Sequence, residues 1–169
     1  MGSSEVSADV LADAYRGSGA AYPSDDLERG GAPTIESFCR MVCEEAALEG
    51  VRAEVLFCQA MLETGWLKYG GDVKIGQFNF GGLGAVGGGA AGASFPDVRT
   101  GLRAQVQHLK AYASEDDLES DCVDPRFTYV KRGCAPYVQW LGMKENPQGV
   151  GWAAGEGYGM SIVELMKGL

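Results

Sequence analysis

Glu63 is the residue best placed to do chemistry in this chain, because it lies near the end of the stretch VRAEVLFCQAMLETGW, residues 51–66. At about 100° per residue, Val51, Ala53, Val55, Leu56, Phe57, Cys58, Ala60, Met61 and Leu62 take up most of a helix's circumference, which predicts a mostly buried helix. Arg52, Gln59 and Glu63 share one narrow polar stripe. A glutamate on a helix is ordinarily a solvated surface group. Here Leu56 falls within the stripe, so the helix has little face to give to water. A carboxyl at the mouth of an apolar wall suits a general acid, since desolvation disfavours the charged form and raises the pKa.

Other chemistries find less support. The single histidine, His108, falls on the flank of a predicted helix and reads as a structural residue; with no CxxC or HxxxH pattern, neither a metal site nor a cofactor is expected. Lys+Arg 14 against Asp+Glu 23 gives a formal charge of −9, which argues against a nucleic-acid partner. The longest basic run is Lys131-Arg132. Five cysteines leave at least one unpaired. Cys39, Cys43 and Cys58 read as small buried hydrophobes, while Cys122 and Cys134 could pair in an oxidising compartment. No run is long enough to span a bilayer, and none near the start resembles a signal peptide.

The elements that must position Glu63 can be read in order. At 169 residues with 46% hydrophobic content, one domain with a tail is expected. Residues 1–33 read as a weakly packed leader with one short helix over 8–16, stopped by Gly17. A second helix opens at Thr34 as N-cap and ends at Gly50, and the central helix closes on Gly65. Ten of the 25 residues from 70 to 94 are glycine, which excludes regular helix. Interleaved Ile75, Phe78, Phe80, Leu83 and Val86 predict a close-fitting loop or β-hairpin in place of a solvated linker. Asp97 caps a further helix to about Ala113, and a short last helix places Tyr158, Ile162 and Met166 on one face. The result is a mainly α (α+β) single domain, residues 34–169, with a small glycine-rich lobe beside a cleft.

Trp66, Phe78, Phe80, Tyr129, Tyr137 and Trp152 lie near this predicted cleft. Core packing accounts for most such aromatics, but sugars present apolar C–H faces beside hydroxyls, and aromatics near carboxylates suit a saccharide groove. One acid over an aromatic floor points to glycosidic cleavage.

The stretch 49–66, then FNFGG, FPDVRTGLRAQVQHLKAY, DPRFTYVKRG, APYVQWLG and GWAAGEGYGMSI together resemble, in order, the glucosaminidase domains of glycoside hydrolase family 73. The resemblance implies a lysozyme-like fold and an endo-β-N-acetylglucosaminidase of peptidoglycan, cutting between N-acetylglucosamine and N-acetylmuramic acid. It puts the catalytic acid at Glu63 and a reaction-centre tyrosine at Tyr158. Asn79, Phe80 and Gly82 fall in the groove-lining segment, with Gln59, Trp66, Tyr129 and Tyr137 as further glycan contacts.

The chain departs from the family pattern in one respect: no Asp or Glu occurs between Val73 and Pro96, where some members carry a proposed second acid. Asp72 and Asp97 are the nearby candidates, Asp97 with an alternative reading as N-cap. Cleavage assisted by the substrate's own N-acetyl group fits this lack. The alternatives are a lytic transglycosylase and a non-catalytic glycan-binding module. The expected setting is extracellular or cell wall, with glycan strands as partner, no membrane contact and a monomeric state; an autolysin or a phage endolysin would both fit.

Overall fold

The computed structural model describes residues 1–85 and 92–169; Val86, counted above among the apolar residues of the glycine-rich stretch, lies outside them. Among the described residues six α-helices carry the fold: α1 (Ala8–Gly17), α2 (Ser24–Leu27), α3 (Ile35–Glu49), α4 (Ala53–Thr64), α5 (Val98–Ala113) and α6 (Tyr158–Met166). Among the described residues the only β pairing is a single bridge between Gly142 and Ala153. The domain is mainly helical, as the sequence predicts.

Helix α4 is the axis of the core. Every residue from Ala53 to Met61 is buried, so it packs on all sides, as a helix apolar around its circumference must. Its neighbours are α3, α5 and α6. The predicted boundaries follow from local chemistry. Thr34 caps α3 in a reciprocal box with Ser37, Gly50 and Gly65 end α3 and α4 in the left-handed conformation, and Asp97 accepts from the Thr100 amide at 2.7 Å to start α5.

Two expectations are corrected. The N-terminal segment is not weakly packed: Leu11 and Tyr15 of α1 are buried in the main core, α1 packs on α3, and the Tyr15 hydroxyl donates to the carbonyls of Ala21 and Trp66 at 3.1 and 3.2 Å. A stripe of only three residues, Leu11, Ala12 and Tyr15, does this, and Ser-, Gly- and Asp-rich flanks obscure it in the sequence. Cys122 and Cys134 are both unpaired, as are Cys39, Cys43 and Cys58. Cys134 is buried while Cys122 is exposed.

In the glycine-rich segment the described residues hold a single 3-10 turn, Ile75–Gln77, and no strand. The segment is closed at its base by backbone bonds from Phe95 to Gln77 at 2.9 Å and from Ala93 to Leu83 at 2.8 Å. It lies directly on α5 at Gly101, where a Cβ would stand 1.8 Å from the Phe78 carbonyl oxygen. Only glycine permits that approach.

Candidate active site

Glu63 occupies the last turn of α4, and its geometry is set by a chain of side chains running into the core. Gln105 of α5 donates from Nε2 to Gln59 Oε1 at 2.9 Å. That fixes the orientation of the Gln59 amide, whose Nε2 donates to the Tyr158 hydroxyl oxygen at 3.0 Å. With its oxygen so engaged, Tyr158 directs its own proton to Glu63 Oε1, to which it donates a short hydrogen bond. Three helices, α4, α5 and α6, meet in this chain. Tyr158 is delivered to it as the first residue of α6, whose preceding amide, Gly157 N, donates to Glu145 at 2.8 Å.

Glu63 as a residue is exposed, its carboxyl lining an open cleft and partly desolvated by the protein around it. Burial pushes its pKa above the ordinary value, against the hydrogen bond from Tyr158 and the nearby Trp152 indole, which favour the charged form. The Trp152 indole N–H donates to the Gly81 carbonyl at 3.2 Å. Burial and the adjacent Glu63 charge together hold the Tyr158 phenol well above its usual range, so it remains a donor.

The cleft beside Glu63 has a volume of about 300 Å³, with Thr64, Tyr69, Asp72, Asn79 and Gly82 among its lining. Gly82 adopts a φ of +64° and brings backbone to the acid: a Cβ there would lie 3.3 Å from Glu63 Oε2. Behind Glu63 the backbone is strained. Trp66, Leu67 and Tyr69 hold φ of 60°, 59° and 57°, a conformation costing non-glycine residues about 1–2 kcal/mol each. Thr64 stabilises the turn, its hydroxyl donating to the Ala60 carbonyl at 2.7 Å and accepting from the Leu67 amide at 2.9 Å. Such strain gathers at functional sites.

The structure sorts the remaining candidates. Glu63, Tyr158 and Gln59 form one hydrogen-bonded unit, and Asp72, Asn79 and Gly82 line the same cleft. Asp97 is committed to capping α5 and does not line the cleft. Phe80 is corrected to a core residue: it is fully buried with its ring 5.1 Å from that of Phe38, so no glycan reaches it. Trp66 packs on Tyr15 and Phe57 and lines apolar cavities next to α6 on the other side of α4. Asn79 is a loop clamp, its Nδ2 donating to the Leu83 and Ala93 carbonyls at 2.9 and 3.0 Å and its Oδ1 accepting from the Leu83 amide at 2.9 Å.

Tyr129 and Tyr137 are 72% and 60% exposed, the Tyr129 ring with the Arg126 guanidinium 4.4 Å over it and the Tyr137 ring edge-on to that of Trp140. Gln105 is the member that residue-level reading misses, while Trp152, expected near the cleft, has its indole beside Glu63. Gln105 sits on the inward face of α5, two positions before Gln107 in RAQVQHLK, where a polar residue on an apolar face is the available signal.

No solved structure matches the chain. A protein of Borreliella burgdorferi, described as uncharacterized, is 41% identical over 104 residues, which cover 62% of this chain and 51% of that protein. The chain thus spans about half the length of the curated relative it matches. Residues 39–169 match the family model Glucosaminidase, described as mannosyl-glycoprotein endo-beta-N-acetylglucosaminidase, a match that contains Glu63, Tyr158 and every other residue of the cleft. The chain belongs to the glucosaminidase family, in agreement with its resemblance to glycoside hydrolase family 73.

Proposed function

We propose that this domain is a peptidoglycan hydrolase, an endo-β-N-acetylglucosaminidase that cleaves the β-1,4 bond between N-acetylglucosamine and N-acetylmuramic acid with Glu63 as general acid. The observation that carries the reading is the state of the Glu63 carboxyl: raised in pKa by burial, open to a cleft, and held at Oε1 by the Tyr158 hydroxyl. Because Oε1 accepts from Tyr158, the transferable proton resides on Oε2, the oxygen facing Gly82 and the cleft. Protonation of the glycosidic oxygen leaves a carboxylate, and the same Tyr158 donor and the neighbouring indole stabilise it.

The displacing group is either the substrate's own acetamido oxygen or a water activated by Asp72, the one other carboxylate lining the cleft among the described residues. Asp72→Asn separates them. Activity within about threefold of wild type supports substrate assistance, whereas a loss on the order of a hundredfold or more assigns Asp72 as the base.

Digestion of purified cell walls tests the whole reading. Wild type should release fragments with reducing-end N-acetylglucosamine, and Glu63→Gln should lose at least a hundredfold in rate. Anhydro-muramic ends would establish a lytic transglycosylase instead. Equal clearing by wild type and Glu63→Gln would remove Glu63 from the chemistry, and glycan binding without clearing would make the domain a binding module. The same reading has the domain act as a monomer at the cell wall.

A further inference from the structure

His108 and Asp124 are a buried titratable pair that the chemistry proposed above leaves without a role. Asp124, 5% exposed, places Oδ2 2.6 Å from His108 Nδ1 and accepts the Arg126 backbone amide at Oδ1 at 2.8 Å. An ionised carboxylate only accepts, so Nδ1 of the ring carries the proton. The loop that holds Asp124 is tied in turn to α5: Gln107, the neighbour of His108, accepts the Val123 and Asp124 amides at 2.8 and 3.3 Å. The His108 ring is thereby fixed both at its stem and at its Nδ1 edge.

The fixed ring abuts Trp152, with ring centres 4.7 Å apart and planes at 87°. Tyr112, one turn further along α5, lies 5.3 Å from His108 and 5.9 Å from Trp152. Trp152 belongs to no helix. Its backbone is held by its own amide, which donates to the Leu141 carbonyl at 2.7 Å, and by the Tyr112 hydroxyl, which donates to the Gly151 carbonyl at 2.8 Å. The freedom that remains to it is in the two side-chain torsions, and the His108 and Tyr112 rings restrict those.

The orientation of the indole reaches the acid through the glycine-rich wall. Its N–H donates to the Gly81 carbonyl at 3.2 Å, and Gly81 is wedged in place: a Cβ there would stand 2.9 Å from Trp152 Cζ2 and 2.9 Å from Gln105 Cγ. The next residue, Gly82, lies against Glu63, its Cβ position 3.3 Å from Oε2. Gln105 and His108 are one turn apart on the same face of α5. Gln105 acts on Oε1 of Glu63 through Gln59 and Tyr158, and His108 stands at the head of a second path, through Trp152 and Gly81, that ends on Oε2.

We propose that His108, anchored by Asp124, is a positioning residue of the active site: it sets the Trp152 indole, and through it the Gly81–Gly82 backbone, against Oε2 of Glu63. The proposal rests on the hydrolase reading above for the reaction that this serves, and on the packing alone for the path. One helix, α5, then controls both oxygens of the acid.

The test compares His108→Ala, Trp152→Phe and the two combined by kcat and KM on purified peptidoglycan, with the Trp152 indole N–H and the Glu63 carboxyl carbon followed by NMR. His108→Ala should lower kcat about tenfold with KM within about twofold. It should also move the indole signal and raise the Glu63 midpoint, since a displaced indole no longer favours the carboxylate. His108→Phe, which returns a ring to the same place, should recover part of each change. Because His108 acts through Trp152, adding His108→Ala to Trp152→Phe should cost less than about twofold more. Losses that multiply in the combined variant overturn the proposal, as does a His108→Ala protein that melts earlier yet keeps the wild-type kcat, indole signal and Glu63 midpoint. Where His108→Ala does not fold, Asp124→Ala cuts the path one step earlier with the ring still in place, and the same readouts decide. The two NMR signals need no turnover: a wild type that leaves cell walls intact retracts the hydrolase reading, while Trp152 and Glu63 signals that still respond to His108→Ala retain the path.

Discussion

Tyr158→Phe is the substitution that most directly tests how the acid is held. It removes the O–H donor to Glu63 and leaves the ring and its packing in place. A hydrogen bond to a charged group contributes about 1.5–3 kcal/mol; solvent that reaches Glu63 replaces part of it, and halving leaves roughly 1 kcal/mol. At 1.36 kcal/mol per pH unit, the Glu63 midpoint should rise by somewhat under about one pH unit, because the lost bond favoured the carboxylate. A general acid acts only while protonated, so activity falls as pH rises through that midpoint, and this alkaline limb should move upward in the variant. The rate at the optimum should also fall by roughly tenfold, since the carboxylate formed on proton transfer loses its donor. The assay is kcat/KM against pH on purified peptidoglycan, with the Glu63 carboxyl carbon followed by NMR. A limb that moves down would mean that Tyr158 accepts from a protonated Glu63, reversing the direction of the relay from Gln105 through Gln59. A limb that stays in place would mean that the contact contributes nothing.

Three further substitutions read separate parts of the site. Glu63→Gln should stabilise the fold at neutral pH by on the order of 1 kcal/mol after discounting for solvent. The folded pKa is raised above its ordinary 4.5, so the stability carried by the protonated acid is present below that value and lost as pH rises through the folded one; the variant's advantage in thermal melts must therefore vanish in acid, and an advantage independent of pH would contradict the raised pKa. Gly101→Ala places a Cβ 1.8 Å from the Phe78 carbonyl oxygen and should destabilise by about 1–3 kcal/mol, with a wild-type melting temperature refuting the close approach of loop and helix. Asp97→Ala should cost about 1 kcal/mol in denaturant unfolding through the lost cap while activity stays within a few-fold of wild type; a loss of several orders of magnitude in rate would return Asp97 to the catalytic machinery.

Local signals account for what was legible beforehand. Helix limits at Thr34, Gly50, Gly65 and Asp97 follow from capping chemistry within four residues of each terminus, and the burial of α4 follows from its own circumference. Glu63 stands out because an ionisable group ends a helix with almost no polar face. Its relation to Tyr158, 95 positions along the chain, was legible only through resemblance. No local rule brings the two together.

The sequence by itself determined the main helices and the family and singled out Glu63 as the candidate acid, because these depend on residue type and on spacing within a single element. Tertiary structure alone decided the rest. Phe80 and Asn79 sit in a segment that forms one wall of the cleft, yet packing on Phe38 turns the first into core, and three hydrogen bonds to loop backbone make the second a clamp. Asp97 already reads as an N-cap in the sequence, whereas only the course of the glycine-rich loop lays Asp72 along the cleft. The polarity of the Gln105, Gln59, Tyr158 and Glu63 chain is likewise a property of three helices in contact, since each donor is oriented by the acceptor that another helix supplies.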